Sequence, residues 1–222
     1  MELRKKRPKK GVKASRRRVT RENPRKPEKT RNRKPQKEIK YLTVAEKDRL
    51  FKAIDSTRDR AIFRILYHHG LRAGEIGKLE FSDYRAGSML HLDRLNIHRL
   101  KGSISGETGI VPIAAQALRA WLRKRGQAPG PLFPSKKRTP ITRWRIFQLM
   151  RKYCEIAGIP RDKAHPHCLK HSTCTHLLSD KKEPITDIQR HVGHKNIAST
   201  MIYAQLTGEA NDERIRRLRD WK

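Results

Sequence analysis

The order of apolar and polar residues changes at about residue 41, where helical spacing begins to dominate the chain. The stretch "YLTVAEKDRLFKAI" opens with Thr43 and Glu46, which have the spacing of a capping box. Apolar Leu50 and Ile54 follow at a helical interval. The pattern therefore predicts a helix at the start of a folded domain.

Helical spacing recurs along most of the remaining chain. A second helix is predicted over 57–69, and Gly70 is typical of the position just past a helix end. A short helix is predicted to start near Arg72. Later helices are predicted over 114–125, 141–157, 167–179, 184–192 and 196–204, and a charged terminal helix near 209–220.

Between residues 88 and 113 the pattern changes to short runs separated by turn-prone residues. The runs are "SMLHLD", "NIHRLK" and "TGIVPI", and "GSISG" has the composition of a hairpin tip. They predict a small antiparallel sheet of about three strands. We see no internal repeat, so the predicted fold class is mainly α with a small antiparallel β-sheet (α+β).

The charge of the chain is strongly one-sided. Among 222 residues, 54 Lys+Arg face 22 Asp+Glu, which gives a formal net charge of +32. Such a surplus opposes compactness through self-repulsion and usually serves to meet a polyanion. Nucleic acid is the favoured partner and an anionic membrane surface is the second.

The cellular setting is predicted from what the sequence contains. Its apolar runs fall short of the ~20 residues of a membrane span, and its charged start lacks the apolar segment of a secretory signal. Three cysteines without a CxxC pair fit reduced thiols inside a cell. We therefore expect a cytoplasmic, DNA-associated protein without a membrane partner.

Residues 1–40 form a basic segment of their own. They hold 19 Lys+Arg and 4 Asp+Glu with few apolar side chains, which leaves +17 of the net charge on the other 182 residues. A disordered arm is predicted, because this composition buries too little surface to offset its ordering entropy. Either it is a solubilising or localising arm, or it lies along DNA phosphates. The predicted DNA contacts are Lys5, Lys6, Arg7, Lys9, Lys10, Arg16, Arg17 and Arg18.

Two pieces in the first half of the domain carry side chains suited to phosphate chemistry. "HHGLRAGEIGKLEFSDY" places Arg72 at the start of a short helix, with Glu75 one turn on. "RLKGSISGETGIVPI" places Lys101 where a strand enters a hairpin. Each motif is weak alone.

Two pieces in the second half complete the set. "HPHCLKHSTCTHLL" supplies His167 and Lys170 at i and i+3, so both lie on one side of a helix. "IQRHVGHKNIASTMIYAQL" supplies His194 and, nine residues later, Tyr203. In order and spacing, the four pieces resemble the tyrosine recombinase (phage integrase) family, which has "G.R..E", a hairpin lysine, "H.LRH", "LGH" and "T..Y". The resemblance covers roughly residues 41–207, the family's catalytic domain.

The chemistry explains why such residues would be gathered. Cutting a DNA strand without losing bond energy needs a protein nucleophile that stores the phosphoester covalently. Charge that develops on the phosphate oxygens must meet fixed cations, and the leaving 5′ oxygen needs a proton donor. The resemblance implies Tyr203 as nucleophile, Arg72 as phosphate clamp, Lys101 as general acid, His167 as proton-transfer group at the phenol, His194 as phosphate donor, and Glu75 and His171 as supporting residues.

Lys170 departs from the family pattern, which has a second phosphate-clamping arginine at this position. A lysine keeps the charge and loses the planar fork, so the swap is not conservative. Either the site is tuned to an ammonium or activity is reduced. We expect an active enzyme, because the other positions match, including the tyrosine.

The histidine-rich stretch invites a metal-site interpretation. His165, His171 and His176 could join Cys174 as ligands, yet their spacing matches no closed zinc pattern. Side-chain cations perform the electrostatic task, so we expect neither a metal nor another cofactor. Other side chains of the stretch are assigned to packing: Cys168, Leu169, Leu177 and Leu178. The remaining histidines are taken as structural or surface residues: His68, His69, His91 and His98.

The ends of the chain differ from the family pattern. Recombinases of this kind usually carry a separate helical DNA-gripping domain before the catalytic one, where this chain has about forty residues. We expect the arm to replace part of that grip, unless the chain is a fragment of a longer protein. Residues 208–222 are predicted to form a helical tail that packs against a neighbouring subunit, in a homo-oligomer on DNA.

Three functions compete at this point. The resemblance favours a site-specific recombinase acting on double-stranded DNA through a 3′-phosphotyrosyl intermediate. A type IB topoisomerase-like enzyme would share the chemistry without exchanging partners. A DNA-binding accessory protein with weakened or lost catalysis is supported by Lys170 and by the short N-terminal segment.

Overall fold

The computed structural model describes residues 39–100 and 103–204, which form helices around a small three-stranded sheet. Within these ranges the helices are α1 (Val44–Ala53), α2 (Thr57–His68), α3 (Ala73–Ile76), α4 (Pro112–Arg125), α5 (Arg143–Ile156), α6 (Pro166–Ser179), α7 (Ile185–Val192) and α8 (Ala198–Ala204). The strands are β1 (Tyr84–Arg85), β2 (Arg94–Ile97) and β3 (Gly106–Gly109). The predicted fold class, mainly α with a small antiparallel sheet, is confirmed.

The helix starts follow the local chemistry of the sequence. The Thr43 hydroxyl caps α1 by accepting from Glu46 N, and Glu46 Oε2 accepts from the backbone N–H of Thr43 at 2.8 Å. Ser56 caps α2 in the same way by accepting from Asp59 N. These hydroxyls satisfy N–H groups that a helix start leaves without partners.

The predicted strands were only partly right. The sheet has the order β1-β2-β3 and is antiparallel throughout, with Arg94 opposite Gly109 and Ile97 opposite Gly106. The predicted run "SMLHLD" is instead a turn, closed by a hydrogen bond from Ser88 N to the carbonyl of His91. Its apolar Met89 points into solvent. Because the apolar residues of this turn are exposed, their spacing does not reflect burial in a sheet, and the predicted strand is wrong.

The core is built around α2 and α6. Helix α2 packs against α4 and α6, and α6 also contacts α7 and α8. Most of α6 is buried, and the Oγ of Ser172 accepts a 2.8 Å hydrogen bond from Leu42 N. A helix enclosed on most sides needs small and polar side chains that pair internally, which explains why α6 lacks a polar face.

The ends of α2 and α7 meet at a glycine. Gly70 has φ +55°, and a Cβ added there would lie 2.7 Å from Val192 Cγ1. Only glycine allows both this backbone conformation and this approach. The turns that follow the two helices are thereby brought side by side.

Several predictions lie outside the described residues. They concern most of the basic arm, including its eight predicted DNA contacts, the hairpin residue Lys101, and the tail over 208–222. Across the described ranges, the helices are each too short or too polar to span a bilayer.

Candidate active site

Arg72 lies at the start of α3, where the chain leaves the turn after α2. Its backbone N–H donates to Glu75 Oε2 at 2.8 Å, and its Nη1 donates to Glu75 Oε1 at 2.9 Å. The same Nη1 reaches the carbonyl of Leu100 and the Oγ of Ser103. Glu75 thus fixes both the helix start and the guanidinium, as the i, i+3 spacing of the two residues predicts.

Glu75 is fully buried and ionised. Burial would raise the pKa of its carboxyl, but hydrogen bonds from the backbone N–H groups of Arg72 and Leu100, and the nearby guanidinium groups, outweigh burial and lower the pKa. The N–H of Leu100 donates at 3.0 Å. Glu75 therefore joins the segment that precedes Lys101 to the segment that carries Arg72.

Lys101, the predicted general acid, lies outside the described residues. Leu100 and Ser103, on either side of the undescribed pair, both accept hydrogen bonds from Arg72. The role of Lys101 stays a prediction.

His194 follows the left-handed residue Gly193 (φ +68°), which ends α7. Its Nδ1 lies 2.9 Å from Thr200 Oγ1, so Nε2 is the ring atom left for the cleft that His194 lines. Burial lowers the pKa of His194 to about 4, with Lys170, Arg72 and Arg99 adding to the effect. The imidazole is neutral at pH 7 and can donate a hydrogen bond from Nε2.

Arg72 and His194 line the same open cleft of about 880 Å³. The other lining residues are Ser103, Gln189, Lys195, Asn196, Ile197 and Ser199. Arg72 also borders a second recess, of about 440 Å³, with His167, Trp144 and Phe147. The guanidinium therefore stands between two cavities, each open to a ligand.

Helix α6 carries the predicted histidines. His165 caps the helix by accepting from Cys168 N through Nδ1, and Pro166 occupies its first turn. His167 is exposed at the second recess, where partial burial and then Arg72 lower its pKa. His171, one turn further on, has its pKa lowered to about 4, chiefly by burial.

Tyr203 lies beneath the surface on α8. Its side chain is 2% exposed and packs with Cys174, Ile188 and Val192. The phenol lies 2.7 Å from His171 Nδ1, so His171 rather than His167 is the histidine at the hydroxyl. Burial raises the pKa of the phenol. A neutral His171 can accept a hydrogen bond from the phenol in this arrangement.

Lys170 does not reach the cleft in this conformation. It is 4% exposed, and its Nζ donates to the carbonyl oxygens of Gly70 and Val192 at 2.7 Å and 2.9 Å. The structure thus brings Arg72, Glu75 and His194 together and places His171 with Tyr203. Lys170 instead contacts the turns that precede Arg72 and His194.

Sequence patterns do not single out Arg99, whose side chain is buried and contacts the same turns as Lys170. Its partners lie about 30 and 92 positions away along the chain, and a chain with 54 Lys+Arg does not distinguish one arginine from the rest. Within the described ranges, no group of three or more His, Cys, Asp or Glu side chains could hold a metal ion. Cys154, Cys168 and Cys174 are free thiols, all buried.

Comparison with known proteins gives consistent results. Tyrosine recombinase XerC 1 of Ralstonia nicotianae is 33% identical over 167 residues, covering 68% of this chain and 50% of the relative. Tyrosine recombinase XerD of Yersinia pestis is 30% identical over 201 residues, covering 83% and 62%. The chain thus spans only about half to three fifths of the length of these curated relatives.

Solved structures show the same fold. A crystal structure of XerA recombinase superposes with a TM-score of 0.70 at 28% identity, covering 86% of this chain and 68% of that one. A lambda integrase dimer bound to a COC′ core site superposes with a TM-score of 0.61 at 18% identity, which shows the fold alone. The model of the phage integrase family matches residues 40–209. The chain belongs to the phage integrase family, whose members are the tyrosine recombinases.

Proposed function

We propose that this protein is a site-specific recombinase that cleaves and rejoins double-stranded DNA through a 3′-phosphotyrosyl intermediate. One observation carries the proposal: Arg72 and a neutral His194 line one cleft while the Tyr203 phenol is hydrogen-bonded to His171 on the adjacent helix. A guanidinium and an imidazole N–H are suited to bind two oxygens of one phosphate. The family and the relatives named above support the same chemistry.

In the proposed reaction the Tyr203 oxygen attacks the phosphorus of a DNA phosphodiester. The bond from phosphorus to the 5′ oxygen breaks, and the phenolic proton passes to His171. Arg72 and His194 bind the oxygens on which charge develops, and Lys101 protonates the leaving 5′ oxygen. Rejoining reverses these steps with a 5′ hydroxyl of the same or another strand, so no bond energy is lost.

The proposal requires α8 to move. Tyr203 is buried with Cys174 and Val192, whereas Arg72 and His194 face the cleft. The hydroxyl must leave its packing with Cys174 and Val192 to reach a bound phosphate, and its proton passes to His171 as that contact breaks. The described arrangement is therefore a resting state, and DNA or a second subunit would shift it.

The partners follow from the chemistry and from the relatives. Structures of XerH show that recombinase bound to its difH substrate, and a lambda integrase structure shows a dimer on a core site. We propose that this chain likewise acts on duplex DNA as a homo-oligomer. Acting on double-stranded DNA, it would reside in the nucleoid.

The test uses nicked suicide duplexes built on a DNA site that the purified protein selects from random sequence. Wild-type protein is expected to form an adduct that survives SDS, because the nick releases the 5′ fragment and prevents rejoining. Tyr203→Phe is expected to form none. If the wild type forms no adduct on DNA that it binds specifically, the result would favour the accessory-protein alternative.

Tyr67→Phe is the matched control. The Tyr67 hydroxyl lies 2.7 Å from His176 Nδ1, so this change removes another phenol that is bonded to a histidine of α6. It should leave adduct formation unchanged. An adduct that persists in Tyr203→Phe would refute the nucleophile assignment. Efficient relaxation of a supercoiled plasmid without the selected site would instead support the topoisomerase-like alternative.

A further inference from the structure

Two buried cations lie behind the cleft, and the proposed reaction assigns neither of them a contact with DNA. Arg99 is 4% exposed and leads into the segment that contains Lys101. Its guanidinium donates to three carbonyl oxygens: Nη1 to Gly70 at 3.2 Å, and Nη2 to His69 at 3.1 Å and His191 at 3.0 Å. These contacts direct its donors mainly at main chain, and Nη1 also lies 3.7 Å from Glu75 Oε2.

Lys170 binds the same two turns from the other side. Its ammonium donates to the carbonyl oxygens of Gly70 and Val192, so both cations share Gly70. Burial lowers the pKa of Lys170 to about 7, and Arg99 and then Arg72 add to the effect. The cost of burying this charge is offset only if the carbonyl contacts are maintained.

The four carbonyls belong to the ends of two helices. His69 and Gly70 follow α2, while His191 and Val192 are the last two residues of α7. Carbonyl groups at a helix C-terminus lack partners in the helix and carry its negative partial charge. A cation supplies both the missing hydrogen-bond donors and the opposite charge. Here Arg99 and Lys170 supply them to the C-terminal ends of both helices.

The position of these carbonyls relates them to the cleft. Gly70 lies two residues before Arg72, and Val192 lies two residues before His194. We propose that Arg99 and Lys170 form a cationic bridge between the ends of α2 and α7 that sets the separation of Arg72 and His194. The inference rests on the proposed function for its effect on cleavage. In this arrangement Lys170 is a positioning residue, and the clamp role that the family resemblance implies would require its ammonium to leave the carbonyls of Gly70 and Val192.

The bridge also reaches the hairpin. Leu100, next to Arg99, contacts both Glu75 and Arg72. On the far side of the undescribed pair, Ile104 N donates to the carbonyl of Gly193 at 3.1 Å. A Cβ at Gly193 would lie 2.8 Å from Arg99 Nε, so this approach also needs glycine. The described residues Leu100 and Ile104, on either side of Lys101, thus contact residues of the same two turns or next to them.

The activity test compares Arg99→Met and Lys170→Met with wild type in single-turnover cleavage of the suicide duplex. Each is expected to slow cleavage about 100-fold, as a displacement of about 1 Å between catalytic groups does. DNA affinity should change by less than about threefold, because neither side chain faces the cleft. Arg99→Lys keeps the charge and is expected to recover part of the rate.

Arg60→Met is the matched control for these variants. Arg60 also donates to a helix-end carbonyl, that of Ile54 after α1, but it lies at the opposite end of α2 from Arg72. Its loss should leave the cleavage rate unchanged. Equal slowing in Arg60→Met, or unchanged cleavage in Arg99→Met, would overturn the inference.

A second readout does not depend on cleavage. The charges of Lys170 and Arg99 help to hold the pKa of His194 near 4. NMR titration of the His194 ring should show a higher pKa in Lys170→Met and Arg99→Met than in wild type, still below 6.5 because burial is the largest cause, with no rise in Arg60→Met. An unchanged titration in all three would overturn the bridge even if wild type cleaves DNA. A rise without any cleavage by wild type would leave the bridge intact and reject the proposed function.

Discussion

His69 and His194 are almost completely buried, and both are held neutral. Burial is the largest cause in each case, and Arg99 contributes to both. Together these causes, burial first, lower the pKa of His69 to about 3 and the pKa of His194 to about 4. His69 Nε2 accepts from Val111 N at 3.4 Å, which a protonated ring could not do. The native environment of both side chains therefore requires a neutral imidazole.

These pKa values predict acid sensitivity of the fold. In the unfolded chain a histidine titrates near 6.5, so between pH 6.5 and 4 the unfolded state binds more protons than the native state. Stability is therefore full above pH 6.5 and falls as pH drops toward 4. Each of the two histidines should contribute a slope of about 1.4 kcal/mol per pH unit within this window.

Urea unfolding at pH 7, 5.5 and 4.5, followed by tryptophan fluorescence, measures this effect. Replacing His194 with Gln keeps a side chain that can bond Thr200 but does not titrate, so the dependence on pH should weaken in that variant. Equal unfolding free energies at pH 7 and pH 4.5 in wild type would contradict the prediction.

The sequence could predict some of these residues and not others. Arg72 and Glu75 follow from local rules, because a glutamate three residues after a helix start can reach back to the first backbone N–H. Arg99 could not be predicted, since its partners come together only when α2 and α7 pack. Lys170 was found as a departure from a motif, but its buried contacts with two carbonyls depend on the same packing.

At the scale of elements, the close approach of α2 and α7 is the feature on which the site depends. Gly70 and Gly158 both follow helices and both have positive φ, +55° and +63°. A Cβ at Gly70 would collide with Val192, whereas one at Gly158 would meet nothing within 4 Å. Substitutions at the two glycines can therefore distinguish the cost of backbone strain from the cost of steric crowding.

We predict that Gly158→Ala destabilises the fold by about 1 kcal/mol, the cost of a left-handed alanine. Gly70→Ala should cost about 3 kcal/mol, because crowding against Val192 adds to the same strain. Thermal or urea unfolding measures both values. Adding Val192→Ala to Gly70→Ala should recover part of the difference, and equal costs for the two glycines would contradict the close approach.

Helices were predicted better than strands for a physical reason. The predicted 57–69 and 167–179 lie within a residue of the observed α2 and α6. Burial on α2 follows a regular helical spacing, whereas α6 is buried on most sides. The sheet has strands of two to four residues, too short for alternation to define them. Exposed Met89 and Leu90 then supplied a false strand signal.

At the scale of the whole molecule, positive charge is divided between the arm and the folded domain. The first forty residues carry +15 of the +32, and they precede the matched family region almost entirely. A solubilising arm and a DNA-binding arm predict different salt dependence. Each phosphate contact releases counterions and steepens the fall of affinity with salt, whereas a solubilising arm leaves that slope unchanged.

We predict that the arm contacts phosphates. Changing its eight predicted DNA contacts to Gln in the full chain should weaken binding to the selected duplex most strongly at low salt. The slope of log affinity against log salt should become shallower by about 0.9 for each phosphate that the variant no longer binds.

Fluorescence anisotropy between 50 and 300 mM salt measures the slope, and an unchanged unfolding midpoint confirms that the domain is intact. Because phosphate contacts carry no sequence information, the ratio of specific to random DNA affinity should hold. Equal slopes and equal affinities in wild type and variant would instead identify a solubilising arm.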